Sequence, residues 1–146
     1  MILVDANLPI CARSAASPDH AAARTWLDSR LNGGAPVGLP WPSLLAFVRI
    51  ITNPRIHARP LAMDAAWRQV EEWLECEPAW MPAPTERRRA LLGPLLARAV
   101  GRADLVADAH LAALALEHGL ILCSTDGDFA RFRGLRWENP LRAAEA

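Results

Sequence analysis

An α/β fold with a central, mostly parallel sheet and helices on both faces follows from three observations. Short apolar runs alternate with longer helical patterns. The runs are too uniformly apolar to keep one face in water, as strands buried on both sides are. Capping and turn residues fall at the joints between the two kinds of segment. At 146 residues the chain is long enough to bury a proper core. One domain is expected over residues 1–141, followed by a flexible tail over 142–146.

Ile2–Val4 is a β-type run that Asp5-Ala6-Asn7 closes. A helical pattern then starts near Leu8 and fades by Ala16. Ser17-Pro18-Asp19 starts the next helix, with Ser17 at N-cap and Pro18 at the first helical position. Ala22, Trp26, Leu27 and Leu31 form its apolar face, and Asn32-Gly33-Gly34 stops it. Val37–Pro40 is short enough for a strand, and Trp41-Pro42-Ser43 opens a helix running to about Ile51. Thr52-Asn53-Pro54 ends that helix because a residue before proline avoids the α region. After a loop over 55–63, Asp64 caps a helix whose stripe is Trp67, Val70, Trp73 and Leu74.

Ala79–Pro82 reads as a short strand between prolines. Thr85 caps a helix from Glu86 to about Val100, and Asp104–His118 is a helix apolar almost all round, closed by Gly119 at C′. Leu120–Cys123 is a core strand, Phe129–Phe132 a helical turn, and Leu135–Trp137 a final strand before Asn139-Pro140.

Composition excludes several classes of function. Hydrophobic residues make up 52% and charged residues 22%, which favours a packed core over disorder. No apolar run approaches the roughly 18–20 residues that span a bilayer. Asp5 interrupts the first apolar run and no basic segment precedes it, unlike a secretion signal. A cytoplasmic protein that avoids membranes is therefore expected. The three cysteines (Cys11, Cys76, Cys123) lack metal-ligand spacing and read as core residues. Net charge is zero, so no global field draws the chain onto nucleic acid. All sixteen basic residues are arginine, which excludes lysine chemistry but leaves bidentate phosphate recognition.

The chemistry-bearing residues are aspartates. In open parallel sheets, ligands bind beyond the carboxyl ends of the strands. Asp5 ends the first strand, and Asp126 comes three residues after Leu120–Cys123, with Asp128 close behind. Asp104 and Asp108 stand i and i+4 on one expected helix, sharing a face. Each has a plainer role available. Asp5 and Asp126-Gly127 suit turns, Asp104 and Asp128 suit N-caps, and Asp108 could pair with Arg49. Taken together, clustered carboxylates repel and call for a hard divalent cation with oxygen ligands. No nucleophile elbow or H-E-x-x-H zinc helix is present. The four histidines are dispersed, and His110 is expected to point away from the acids.

These residues resemble the PIN-domain fold, specifically the VapC-type ribonuclease toxins of bacterial toxin–antitoxin pairs. The resemblance rests on Ile2-Leu3-Val4-Asp5-Ala6-Asn7, Leu39-Pro40-Trp41 through Thr52-Asn53-Pro54, Leu105 through Ala113, Ser124 through Phe129, and Asn139-Pro140-Leu141. It implies a PIN-like α/β/α sandwich carrying an acidic quartet, with Asp5 first, Asp108 third, Asp126 fourth and Asp128 accessory. The second acid is ordinarily a glutamate. Phe47 occupies its place here, with Asp104 a candidate to compensate in part.

The resemblance further implies metal-assisted phosphodiester hydrolysis, with Asp5, Asp108 and Asp126 catalytic. Mg2+ (Mn2+ is the alternative) would be held by those three and Asp128. Asn7 and Thr125 would position acids or waters. RNA-binding candidates are Arg49, Arg55 and Arg131, with Arg59 and Arg133 nearby. The implied partners are RNA, a cognate antitoxin and a second copy of the chain. The leading alternative is a catalytically weak PIN-fold module that binds RNA or antitoxin, because Phe47 replaces the second acid. A phosphatase or receiver built on strand-end aspartates is disfavoured by the lack of lysine.

Overall fold

The computed structural model describes residues 1–142; residues 143–146, which make up most of the expected tail, lie outside the described residues. Five strands form one sheet in the order β3-β2-β1-β4-β5, every pair parallel. They are β1 (Ile2–Val4), β2 (Val37–Gly38), β3 (Ala79–Trp80), β4 (Ile121–Cys123) and β5 (Trp137–Glu138). The six helices are α1 (Asn7–Arg13), α2 (His20–Leu31), α3 (Trp41–Ile51), α4 (Met63–Glu75), α5 (Arg88–Ala97) and α6 (Val106–His118). The chain winds outward from β1 through β2 to β3, then crosses back to place β4 on the other side of β1.

Period-two alternation sorts the strand residues between two cores. Ile2 and Val4 of β1, with Cys123 of β4, pack against Leu8, Leu27, Leu44, Phe47 and Val70 of α1–α4. Leu3 and Leu122 face the opposite way, onto Leu95 of α5, Leu111 and Leu114 of α6, and Phe129. The result is the expected α/β/α sandwich, with a sheet wholly parallel where a mostly parallel one was expected.

Most elements fall where periodicity places them, with local shifts. In α2 the buried residues are Ala23, Leu27 and Leu31, while Ala22 is exposed. That helix starts at His20, because the Ser17 hydroxyl accepts the Asp19 N–H in a turn ahead of it. Asp64 lies inside the first turn of α4, after an Ala62 N-cap. Residue 67 was expected in the core; Trp67 is instead exposed and stacks on Trp41, ring centroids 6.2 Å apart. Gly119 takes the left-handed conformation (φ 65°) that ends α6, as its C′ position requires.

The expected helix from Asp104 is broken. Residues Ala103–Leu105 form a 3-10 turn and α6 starts at Val106, so Asp108 lies in its first turn and Asp104 lies outside it. A carboxylate in a first turn is favoured by the helix dipole.

Candidate active site

Strand order reverses between β1 and β4, and in parallel sheets the crevice at such a reversal is where ligands bind. The β1–β4 pairing matches Val4 with Cys123, so the chain leaves both strands at the same level. The Asp5 N–H bonds the Cys123 carbonyl at 3.1 Å, fixing the first acid directly beside the exit of β4.

Ser124, the first residue past β4, ties the two strand exits together. It is fully buried, and its hydroxyl donates to Asp5 Oδ2 at 2.7 Å. Ser124 Oγ also accepts the Asn7 Nδ2 amide at 2.9 Å and the Asp126 N–H at 3.0 Å. Asn7 Oδ1 in turn accepts the Thr125 N–H at 3.4 Å. Asn7 thus links Ser124 to Thr125, the latter through its backbone. Ser124 belongs to a motif that marks the family resemblance, but no role was expected of it. A serine at the foot of an apolar strand, between two acidic segments, was the available signal.

Asp5 also accepts the Ala6 N–H at 2.8 Å. Burial pushes its carboxyl above the usual range, the bonds from Ser124 and Ala6 pull it down, and nearby Asp126 adds to the rise. Asp126, not Asp128, caps the 3-10 turn Gly127–Arg131, accepting the Asp128 N–H at 2.8 Å. Among the described residues, no hydrogen-bond donor reaches the carboxylate of Asp108. Burial first, then the charges of Asp126, Asp5, Asp128 and Asp104, push it up to about 6. The acids from distant stretches therefore share one electrostatic neighbourhood.

Asp104 and Asp128 are in a different state. Arg102 Nε and Nη2 donate to the two oxygens of Asp104 at 3.0 and 2.7 Å, and Nη2 also reaches Asp128 Oδ2 at 3.3 Å. Arg131 Nε takes the other oxygen of Asp128 at 3.1 Å. Asp104, held below the usual carboxylate range by Arg102, is thus no substitute for a missing acid. Asp128, expected as an accessory acid that helps hold a cation, is engaged by guanidinium at both oxygens. Arg131, expected to bind RNA, is a partner of Asp128. Arg49 and Arg55 are exposed and form no ion pair among the described residues, so Asp108 is not paired with Arg49. Arg59 lines a cavity of about 420 Å³ with Arg13, Ile51, His57 and Leu61, a cavity lined by none of the aspartates.

Phe47, in the place of the second acid, is fully buried, its ring centroid 4.8 Å from that of Trp73. The position has become core. His110 faces α5, where its Nδ1 accepts from Arg88 at 2.8 Å.

The donor set suits a hard cation. All its ligand atoms are carboxylate oxygens, and a cation would relieve the repulsion that raises Asp108. Among the described residues, no three acidic, histidine or cysteine side chains stand close enough to form a ready-made cage.

A pH dependence results. Asp108 binds its proton at about 6 in the folded chain against 3.8 in the unfolded one. The folded state takes up this proton first, so cation-free stability rises as pH falls from above 6 toward 4. The destabilisation is fully present above 6, where added Mg2+ should raise the melting temperature more than it does at pH 5. Thermal scans with and without Mg2+ at the two pH values check this.

Comparison with known proteins agrees with the geometry. The PIN domain family matches residues 2–135. Ribonuclease VapC37 of Mycobacterium tuberculosis is 44% identical over 140 residues, covering 96% of this chain and 97% of the relative. Ribonuclease VapC43 of the same organism is 38% identical over 141 residues, covering 97% and 96%. Among solved structures, the sarcin–ricin-loop-cleaving toxin VapC20 of M. tuberculosis superimposes with a TM-score of 0.67 at 19% identity, covering 93% of this chain and 99% of that one. VapBC2 of Rickettsia felis, bound to a fragment of its promoter DNA, gives 0.68 at 13% identity, covering 95% and 98%.

Proposed function

The chain belongs to the PIN-domain family, alongside the VapC ribonucleases, and from that premise we propose that it is an endoribonuclease toxin of a toxin–antitoxin pair that hydrolyses RNA phosphodiester bonds with a divalent cation. Asp5, Asp108 and Asp126 would hold Mg2+, with Mn2+ the alternative. The observation that carries the reading is Asp108, a carboxylate with no hydrogen-bond donor among the described residues, set among other acids at the sheet's reversal point.

The bound ion would supply charge neutralisation at the phosphate and a more acidic water. The protein's own share is orientation. Ser124, buried and bonded to three groups, fixes the Asp5 carboxylate and the backbone of Asp126 in one frame. Asp108, on the first turn of α6, is close enough to feel the charges of both Asp5 and Asp126. A water held by these carboxylates can align for in-line attack on phosphorus, leaving a 5′-phosphate and a 3′-hydroxyl. Alignment fixed in advance of the reaction lowers the barrier by several kcal/mol.

The partners come from the same reading: RNA, a cognate antitoxin and a second copy of the chain. Exposed Trp41, Leu45, Met63 and Trp67 on α3 and α4 support a protein partner, since apolar side chains of this size gain from being covered. Among the described residues, no helix is long and apolar enough to cross a membrane.

Purified protein should cleave total RNA with added Mg2+ or Mn2+, lose that activity in EDTA and regain it when the ion is restored. Sequencing of the fragment ends identifies the substrate and bond polarity. Cleavage that persists in EDTA refutes the metal mechanism. Burial of Phe47 favours a second reading, a weak catalyst acting mainly by binding. RNA bound without cleavage at any ion concentration would select it.

A further inference from the structure

We propose that Arg102 is a phosphate-binding residue of the RNA site, and that Asp104 and Asp128 are its supports and not cation ligands. The inference rests on the ribonuclease reading. Arg102 precedes the 3-10 turn Ala103–Leu105 that leads directly into α6 and Asp108. Two carboxylates converge on it, one of them from 26 residues downstream: Asp104 bidentately at 3.0 and 2.7 Å, and Asp128 at 3.3 Å. An ordinary exposed ion pair contributes little and holds its side chain loosely. A guanidinium gripped along one edge and touched by a second carboxylate is instead fixed in plane.

The grip leaves donors free. Nε and Nη2 are engaged, whereas Nη1 has no partner among the described residues, and the side chain stays 41% exposed. Arg102 therefore presents two free N–H donors to solvent beside Asp104 and Asp128, whose charges are felt at Asp108.

A negative pocket and a negative substrate oppose each other, and the chain's zero net charge provides no general attraction. A local cation at the rim is what the substrate requires. Arg102 is built for this, with Arg131 braced 3.1 Å from the far oxygen of Asp128. The arrangement also divides the five aspartates, since Asp104 and Asp128 carry a guanidinium and the other three form no ion pair among the described residues. Asp104 and Asp128 aim the guanidinium, while Asp5, Asp108 and Asp126 remain for the cation.

The test uses the full chain and two measurements. Binding of a short single-stranded RNA is followed in EDTA over a series of KCl concentrations, for wild type, Arg102→Gln, Asp104→Asn and Asp128→Asn. Affinity for Mn2+ alone is measured by calorimetry on the same four proteins, after circular dichroism confirms that each is folded. Arg102→Gln should weaken RNA binding and flatten the slope of log K against log salt by about 0.7, one phosphate contact on a single strand. Mn2+ affinity should be unchanged in all three variants, and the two asparagine variants should bind RNA less tightly than wild type. An unchanged salt slope in Arg102→Gln overturns the proposal. So does a loss of Mn2+ affinity in Asp104→Asn or Asp128→Asn, which would make those residues ligands. Either result leaves the ribonuclease reading standing. Wild type that binds no RNA sinks that reading and this one with it.

Discussion

Alanine at Asp108 should reduce RNA cleavage by more than about a hundredfold, because losing an outer-shell partner of a metal ligand already costs about 10–100-fold and Asp108 is here proposed as a ligand itself. Asp5→Ala should match it. Ser124→Ala, which removes the hydroxyl that orients Asp5 at 2.7 Å, belongs in the range of roughly 10–100-fold. Asp108→Asn separates activity from stability. It abolishes cleavage as alanine does, yet it removes a charge that destabilises the folded chain, since burial and four neighbouring carboxylates push that carboxyl up to about 6. The asparagine variant should therefore melt higher than wild type at pH 7 without added ion, a trade of stability for function common at strained sites. Initial cleavage rates in Mg2+ and cation-free thermal scans decide this. A variant that cuts RNA at the wild-type rate would remove Asp108 from the chemistry.

The strands and the main helices were legible because they depend on local pattern. Ile2–Val4, the bounds of α3 and the left-handed stop at Gly119 appear where periodicity and capping place them. The convergence of Asp5 and Asp126 was legible too, since parallel strands must release their carboxyl ends on one edge. Illegible were the features set by contacts between distant segments. Arg102 drew no expectation from the sequence, because one of its carboxylates arrives from 26 residues downstream. Asp104 and Asp108 looked like one helix face until a 3-10 turn intervened. Trp67 looked like core because its spacing matched Val70 and Trp73, yet its ring lies over Trp41 in solvent. Phe47 was recognisable only as a departure from a family pattern. It is buried against Trp73, where a carboxylate would lose its hydration.

Removing the carboxylate of Glu117 should be the most destabilising of the substitutions considered. Its side chain is fully buried, on the face of α6 turned toward α5. One oxygen takes the Thr85 N–H at 2.8 Å and hydroxyl at 3.0 Å; the other takes Arg88 Nε at 2.9 Å and lies 2.7 Å from Nη2. Arg88 Nη1 donates onward to His110 Nδ1, so that ring is neutral with its proton on Nε2, and burial beside Arg88 holds its pKa down. Glu117→Ala leaves Arg88 buried without its counter-charge, at a cost of about 3–5 kcal/mol. For a chain of this size that is on the order of 10 °C in melting temperature. The pH dependence has the opposite sign to that of Asp108. Burial raises the Glu117 carboxyl, but Arg88 and Thr85 outweigh it and hold the pKa below the ordinary 4.5. Its stabilisation is thus present above 4.5 and lost as pH falls through the lower folded value. The Asp108 penalty on the cation-free chain builds as pH rises from about 4 to about 6, and Glu117 fails the chain in acid, so these two groups together place the stability maximum near the acid end of that span, at or just below 4.5. Glu117→Ala should flatten the acid limb of a melting-temperature profile and Asp108→Asn the neutral limb. A wild-type maximum at pH 8 without added cation would contradict both assignments.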